Sequence, residues 1–310
     1  LLENIGNGHF KDITQEKAKS LLKLGMVTSA VWMDLNKDKL PELIVVGEWM
    51  PISVLEWKDK NLVPVASEKY GFLNTEGWWN HIHAEDLNGD GETDLIGGNL
   101  GENYKFHASV EKPFQVYCDD YDQNGSYDVF LAKYQDKQIV PVRGKQCASE
   151  QLPSINKKFP TFRSFADARI GDLLTENSKG GIKLETKLFS SVLFLRNQNV
   201  FELIILPVAA QFAPIQSILV EDLNKDGLKE ILVAGNQMNS EIETTRADAG
   251  IGCLITQTKD KKWQVIPAHK SGISLPYDVK DMKKIKVQGR IHLLVASNSD
   301  TLRIFDLGTH

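Results

Sequence analysis

An all-β fold built from serial units of short strands is the architecture this sequence predicts, and three observations predict it. A nine-residue acidic pattern occurs four times, an aliphatic run of strand type follows each copy, and a fifth region keeps the apolar spacing without the acids. Units of this kind bury a core by stacking on their neighbours, as in a propeller, a solenoid or a tandem array. The 310 residues, 42% hydrophobic and 25% charged, suffice for one large repeat domain or two small ones, and the repetition favours one.

The four copies are DLNKDKLPE from Asp34 to Glu42, DLNGDGETD from Asp86 to Asp94, DYDQNGSYD from Asp120 to Asp128, and DLNKDGLKE from Asp222 to Glu230. Ca²⁺ is a hard cation that takes six to eight oxygens, and a loop of this pattern can wrap one ion. Its side-chain ligands are positions one, three, five and nine. These are Asp34, Asn36, Asp38 and Glu42; Asp86, Asn88, Asp90 and Asp94; Asp120, Asp122, Asn124 and Asp128; Asp222, Asn224, Asp226 and Glu230. The carbonyl of position seven adds a ligand, from Leu40, Glu92, Ser126 or Leu228. Position six turns sharply and is Gly91, Gly125 or Gly227 in three copies. Lys39 stands there in the first loop, which is expected to bind most weakly.

Each loop leads into a strand: Leu43 to Val46, Leu95 and Ile96, Val129 to Ala132, and Ile231 to Ala234. A helix-opening calcium loop would instead need its acid at position twelve and a helical apolar stripe, and neither follows. Gly47, Gly97 and Gly235 end three of the runs.

Taken in order, Asn7-Gly8-His9-Phe10 is a hairpin signal that closes a unit over residues 1–28. Further units are expected at about 29–80, 81–117, 118–216, 217–276 and 277–310. The third carries a helical insertion over 146–178, where Phe162, Phe165, Ala166 and Ile170 recur at helical spacing and Ser164 with Asp167 offers caps. In the last unit Asp281 could stand at position one, but Lys283 and Ile285 would then fill positions three and five. The strands are the shared element and the ion an accessory.

Composition narrows the function classes. The formal net charge is −5, and four bound Ca²⁺ would more than cancel it, so the acidity is directed at metal. No basic stripe points to nucleic acid. The uncharged stretch between Glu202 and Glu221 contains Pro207, Pro214, Gln211 and Gln216, which fit a strand, a loop and a second strand rather than a transmembrane helix. The chain starts at Leu1 without Met or an apolar leader, which reads as a mature or trimmed fragment. Cys118, Cys147 and Cys253 form no disulfide framework, and a bridge at Cys147 stays open.

The loops, with NTEGWWN (Asn74 to Asn80), GGNLGEN (Gly97 to Asn103), PVRGK (Pro141 to Lys145), KKFPTF (Lys157 to Phe162) and AQFAP (Ala210 to Pro214), resemble the FG-GAP or VCBS repeat proteins. Their blades carry such loops in integrin α subunits. A bacterial branch related to ASPIC/UnbV and cartilage acidic protein-like proteins is closer still. The resemblance implies a β-propeller over 1–310, or the C-terminal part of one, with Ca²⁺ in its blades. It also implies a secreted, periplasmic or outer-membrane surface location.

No nucleophile elbow, zincin motif or phosphate loop occurs, so the reading is a non-catalytic module for adhesion, or for a protein or glycan partner in a surface assembly or outer-membrane complex. The alternative is a carbohydrate-active lyase or hydrolase with its site at a channel mouth. Ligand candidates are Trp78 and Trp79 as flat platforms, His81 in phase with His83 and Glu85, and the cations Arg143 and Lys145. The two segments are expected to meet at one site.

Overall fold

The computed structural model describes residues 1–174, 181–241 and 244–307, and in it the chain forms antiparallel sheets in series. Strands β1 (Leu2–Gly6) and β2 (His9–Asp12) make the hairpin expected at Asn7-Gly8. They are followed by β3 (Met26–Met33), β4 (Glu42–Met50), β5 (Ser53–Lys58), β6 (Asn61–Val65), β7 (Gly77–Trp78), β8 (His81–Glu85) and β9 (Asp94–Gly98). Next come β10 (Phe114–Asp119), β11 (Asp128–Gln135), β12 (Gln138–Pro141), β13 (Ile182–Thr186), β14 (Val192–Asn197) and β15 (Val200–Ile205). The chain continues through β16 (Ser217–Glu221), β17 (Glu230–Ala234), β18 (Cys253–Gln257), β19 (Trp263–Ile266), β20 (Val279–Val287), β21 (Arg290–Ser297) and β22 (Arg303–Asp306).

Two compact units emerge, Leu1–Lys105 with Phe189–His310, and Phe106–Leu188. The larger unit holds sheets β3-β4-β5-β6, β8-β9-β14-β15, β16-β17-β18-β19 and β20-β21-β22. Their first strands are neighbours in succession, β3 to β8, β8 to β16 and β16 to β20. This is a β-propeller-like arrangement, as the repeated pattern predicts. Second strands are apolar runs because both of their faces are covered: every residue of β9 and β17 is buried.

Neighbouring sheets are joined by packed side chains. Phe72, Trp79 and Phe194 meet between the first and second sheets, with Trp79 fully buried. Leu87, Ile96, Leu193, Ile218, Ile231 and Ile255 join the second and third. Leu232, Leu254, Val279, Met282 and Val295 join the third and fourth. Close backbone approach is part of this packing. A Cβ at Gly235 would lie 1.8 Å from the Pro214 carbonyl oxygen, and one at Gly47 would lie 2.1 Å from that of Met26.

The expected unit at 118–216 is corrected by strand pairing. Strand β14 pairs with β9, setting Val192 opposite Gly97 and Phe194 opposite Leu95, so residues 192–205 complete the second sheet. The reason is burial, because Leu193 and Phe194 cover Leu95 and Ile96 across a long excursion that a serial reading cannot bridge. The excursion is the smaller unit, with its own sheet in the order β12-β11-β10-β13.

Helices Lys145–Gln151, Ser154–Lys158, Phe162–Ala166 and Ile170–Leu173 fall where the insertion was expected. Their Leu152, Ile155, Phe165 and Leu173 pack on Tyr121 and Phe130. Thr161, rather than Ser164 or Asp167, is the N-cap of Phe162–Ala166, and Ser164 returns the bond as its capping-box partner. The end of the expected insertion, residues 175–178, lies outside the described residues.

The fifth region is corrected too. Asp281, Lys283 and Ile285 lie within β20, and a two-residue turn at Gln288 and Gly289 replaces an acidic loop. The stretch from Glu202 to Glu221 is a strand, a short turn of helix at Val208–Gln211 and a second strand. Among the described residues no helix is long and apolar enough to cross a membrane. Cys118, Cys147 and Cys253 form no disulfide.

Gly235→Ala must displace the Pro214 carbonyl and is expected to cost about 1–3 kcal/mol in denaturant unfolding. Gly144→Ala, with open space around the new methyl, should stay within about 0.5 kcal/mol of the parent.

Candidate metal centres

All four acidic loops occupy one topological position, the turn from a strand into its antiparallel neighbour: β3 to β4, β8 to β9, β10 to β11 and β16 to β17. Their internal hydrogen bonds repeat. The first acid takes the N–H groups of later loop residues, as when Asp86 accepts from Gly89 at 2.8 Å and Gly91 at 3.0 Å. Position three accepts from position five, Asn88 from Asp90 at 2.9 Å and Asn36 from Asp38 at 2.9 Å. Position five accepts from position seven in all four loops, for instance Asp226 from Leu228 at 2.8 Å. In the third loop Asn124 fills that role toward Ser126.

The ninth acid anchors the loop. Glu42, Asp94, Asp128 and Glu230 each accept the N–H of position two, from Leu35 at 2.6 Å, Leu87 at 3.1 Å, Tyr121 at 3.2 Å and Leu223 at 2.9 Å. All four are buried. Burial pushes the Asp94 carboxyl up to about 6; the N–H groups of Arg196 and Leu87 oppose this, while Asp90 and Asp86 add to it. Burial likewise raises Glu42, Asp128 and Glu230 above the usual carboxylate range.

Positions four and six both take left-handed backbone. Sequence reading singled out position six alone, yet Lys37, Gly89, Gln123 and Lys225 at position four have φ of 64°, 74°, 60° and 63°. Lys39 adopts φ 71° at position six, so the first loop keeps the common geometry without glycine, at a steric cost that Gly91, Gly125 and Gly227 avoid. The donor set fits a hard cation: oxygen ligands with several carboxylates and no soft donor. In the third loop the ligand atoms of Asp120, Asp122 and Asp128 lie within 4.8 Å of one another, the one such group of three among the described residues.

Arg196 was missed by sequence reading. It sits on β14, and its guanidinium donates to the carbonyls of Asp34 at 3.3 Å and Leu35 at 2.7 Å in the first loop. Nε lies 3.5 Å from the Glu92 carboxylate in the second loop, and the Arg196 N–H reaches Asp94 at 2.7 Å. One buried cation thus ties two acidic loops together. Lys37 adds a surface pair with Glu92. Only the pairing of β14 with β9 brings Arg196 there, and no local motif announces it.

The ligand candidates divide. Trp79 is a core residue, with Nε1 donating to the Thr75 carbonyl at 2.8 Å, so its reading as an exposed platform is corrected. Trp78 is half-buried, with ring edges against Trp49 and Phe189 at centroid distances of 4.9 and 5.3 Å. His81 opens into a polar cavity of the larger unit. Arg143 and Lys145 belong to the smaller unit, where Lys145 bonds Asn156 and lies over the Phe162 ring. His83 is oriented inward, its Nε2 buried without a hydrogen-bond partner.

Residues 34–97, which span the first two acidic loops, match the family model described as an FG-GAP-like repeat. The match supports the FG-GAP/VCBS resemblance read from the sequence. Comparison with curated proteins gives no match.

Replacing Arg196 with Met should destabilise the chain by about 2–3 kcal/mol in urea unfolding, because two carbonyls and a carboxylate lose a charged donor. A second expectation concerns pH. Burial lowers the pKa of His81 and His83, His81 further through His83, whereas Glu85 partly opposes the shift at His83. Their unfolded forms therefore take up protons first, and the stability they contribute is present above about pH 6.5 and lost as pH falls below it. The His81→Gln, His83→Gln double variant should lose less stability than the parent between pH 7.5 and 5.5, checked by urea unfolding at each pH.

Proposed function

We propose that this chain is a calcium-stabilised, non-catalytic binding module that works outside the cytoplasm, in adhesion or in a surface assembly with a protein or glycan partner. The match of residues 34–97 to an FG-GAP-like repeat suggests a β-propeller-type binding module. Support for calcium comes from one observation above others: four loops of different sequence share one hydrogen-bonded frame in which the first acid accepts the N–H of position six. The ion would be held by the side chains of positions one, three, five and nine and the carbonyl of position seven. Bound there it supplies charge and a rigid link between two strands rather than reaction chemistry.

Charge balance supports the same reading. A buried carboxylate raised to about 6 beside two further acids is costly alone and favourable next to a divalent cation. The location rests on the affinity expected of such loops: extracellular calcium modules bind at about 10⁻⁴ to 10⁻³ M, and loops of that strength would stay empty at cytoplasmic calcium levels.

Calorimetry should show calcium heats that Mg²⁺ at equal concentration does not reproduce, since Mg²⁺ demands a tighter octahedral shell. Calcium at about 100 times Kd should stabilise the fold by about 2.7 kcal/mol per site, and chelation should remove that gain. Asp90→Ala should shrink the melting shift, whereas Asp281→Ala, within strand β20, should leave it unchanged. Equal binding of Mg²⁺, or identical behaviour of the two variants, would overturn the assignment.

A further inference from the structure

The larger unit carries a second polar feature at the end of its inner strands opposite the acidic loops. Loops one, two and four leave the C-terminal ends of β3, β8 and β16. A cavity of about 500 Å³ lies at the N-terminal ends, where Thr28 of β3, His81 of β8, Gln216 before β16 and Lys280 of β20 converge. Its volume falls within the ~300–1,000 Å³ of small-molecule sites.

The lining is polar and rich in amides. Asn80 and Gln216 bond each other at 3.2 Å, and Asn298 donates to Asp278 at 3.3 Å. Asp278, 5% exposed, is paired with Lys280 at 2.8 Å, which leaves that couple neutral. Among the described residues, four other lining side chains, Glu48, His81, Gln237 and Asn239, make no side-chain hydrogen bond or ion pair, and all but the half-buried His81 are exposed. Glu48 is exposed to solvent, yet the surrounding chain removes enough water to push its pKa upward. Burial also keeps His81 in its neutral form, with one ring nitrogen to donate and one to accept.

We propose that this cavity binds a neutral polyhydroxylated ligand, the terminal residue of a saccharide. The chemistry selects that class. An anion would face Glu48 with the Lys280 charge already engaged by Asp278. An apolar ligand would leave the amides without partners, which costs more than it returns. An ammonium group can only donate, and so would leave the N–H groups of Gln237 and Asn239 unused. A hydroxyl both donates and accepts, as a primary amide does, and a ring of hydroxyls matches a ring of amides with Glu48 as a strong acceptor. The proposal is compatible with the surface-module reading but does not depend on calcium.

Saturation-transfer NMR on the calcium-loaded intact chain provides the test. The probes are the methyl glycosides of glucose, galactose and mannose, N-acetylglucosamine and cellobiose, with glucosamine and glucuronate as charged comparisons. A neutral probe should bind best, and Asn239→Ala and Glu48→Ala should each weaken it about three- to tenfold, as loss of one hydrogen bond dictates. Lys133→Ala, on the smaller unit, should bind as the parent does. Both cavity variants should keep the calcium-dependent melting shift, which separates failure here from failure of the metal assignment. Tighter binding of glucosamine or glucuronate, binding that survives both cavity substitutions, or no binding by any neutral probe would overturn the proposal.

Discussion

A carboxylate held where water cannot follow is the interaction on which this fold rests. In each acidic loop the ninth residue is drawn into the start of the second strand, and its oxygen closes the turn by taking the N–H of position two. The desolvation that bond requires raises the carboxyl pKa, and the remaining acids of the loop increase the repulsion. Structure and charge therefore pull in opposite directions at the same four places. A divalent cation would reconcile them, and a fixed internal cation already helps at two of them: Arg196 stands where the first two loops approach.

The opposite ends of the inner strands follow another logic. Asp278 and Lys280 neutralise each other, and amides dominate instead of acids. One end is organised around clustered acids and local turns, the other around amides and a histidine, with Glu48 as its one carboxylate outside the Asp278–Lys280 pair. This division explains why His81 and His83, adjacent in phase, have different surroundings: His81 reaches the cavity, while His83 lies further along β8 near Glu85.

What the sequence made legible was whatever is local in the chain. The loops, the apolar runs after them, the Asn7-Gly8 hairpin and the helices near 145–173 are set by neighbouring residues, through turn chemistry, burial and helical spacing. Non-local choices were not legible. The partner of Leu95 and Ile96 is a strand nearly a hundred residues later, and β14 differs little in composition from strands that pair next door. Exposure of single aromatics was equally hidden: Trp78 and Trp79 are identical in type and adjacent, yet Trp78 ends strand β7 against Trp49 and Phe189, while Trp79, just beyond the strand, is fully buried against Phe194. Left-handed backbone at position four escaped notice because Lys, Gln and Lys fill it in three loops.

The pairing of β9 with β14 also dictates an order of events as the chain is made. Strand β9 is complete once Gly98 has emerged and can pair with β8, but its other edge has no partner until β14 follows beyond residue 191. The smaller unit has its own sheet and core, so it can form in that interval and occupy the growing chain while β9 waits. An unpaired apolar edge invites pairing with another chain, and Asp-Leu-Ile-Gly-Gly offers little charge to deter it. The inserted unit thus acts as a delay line in biogenesis: the longer it takes to emerge, the longer the nascent second sheet depends on protection from its neighbours.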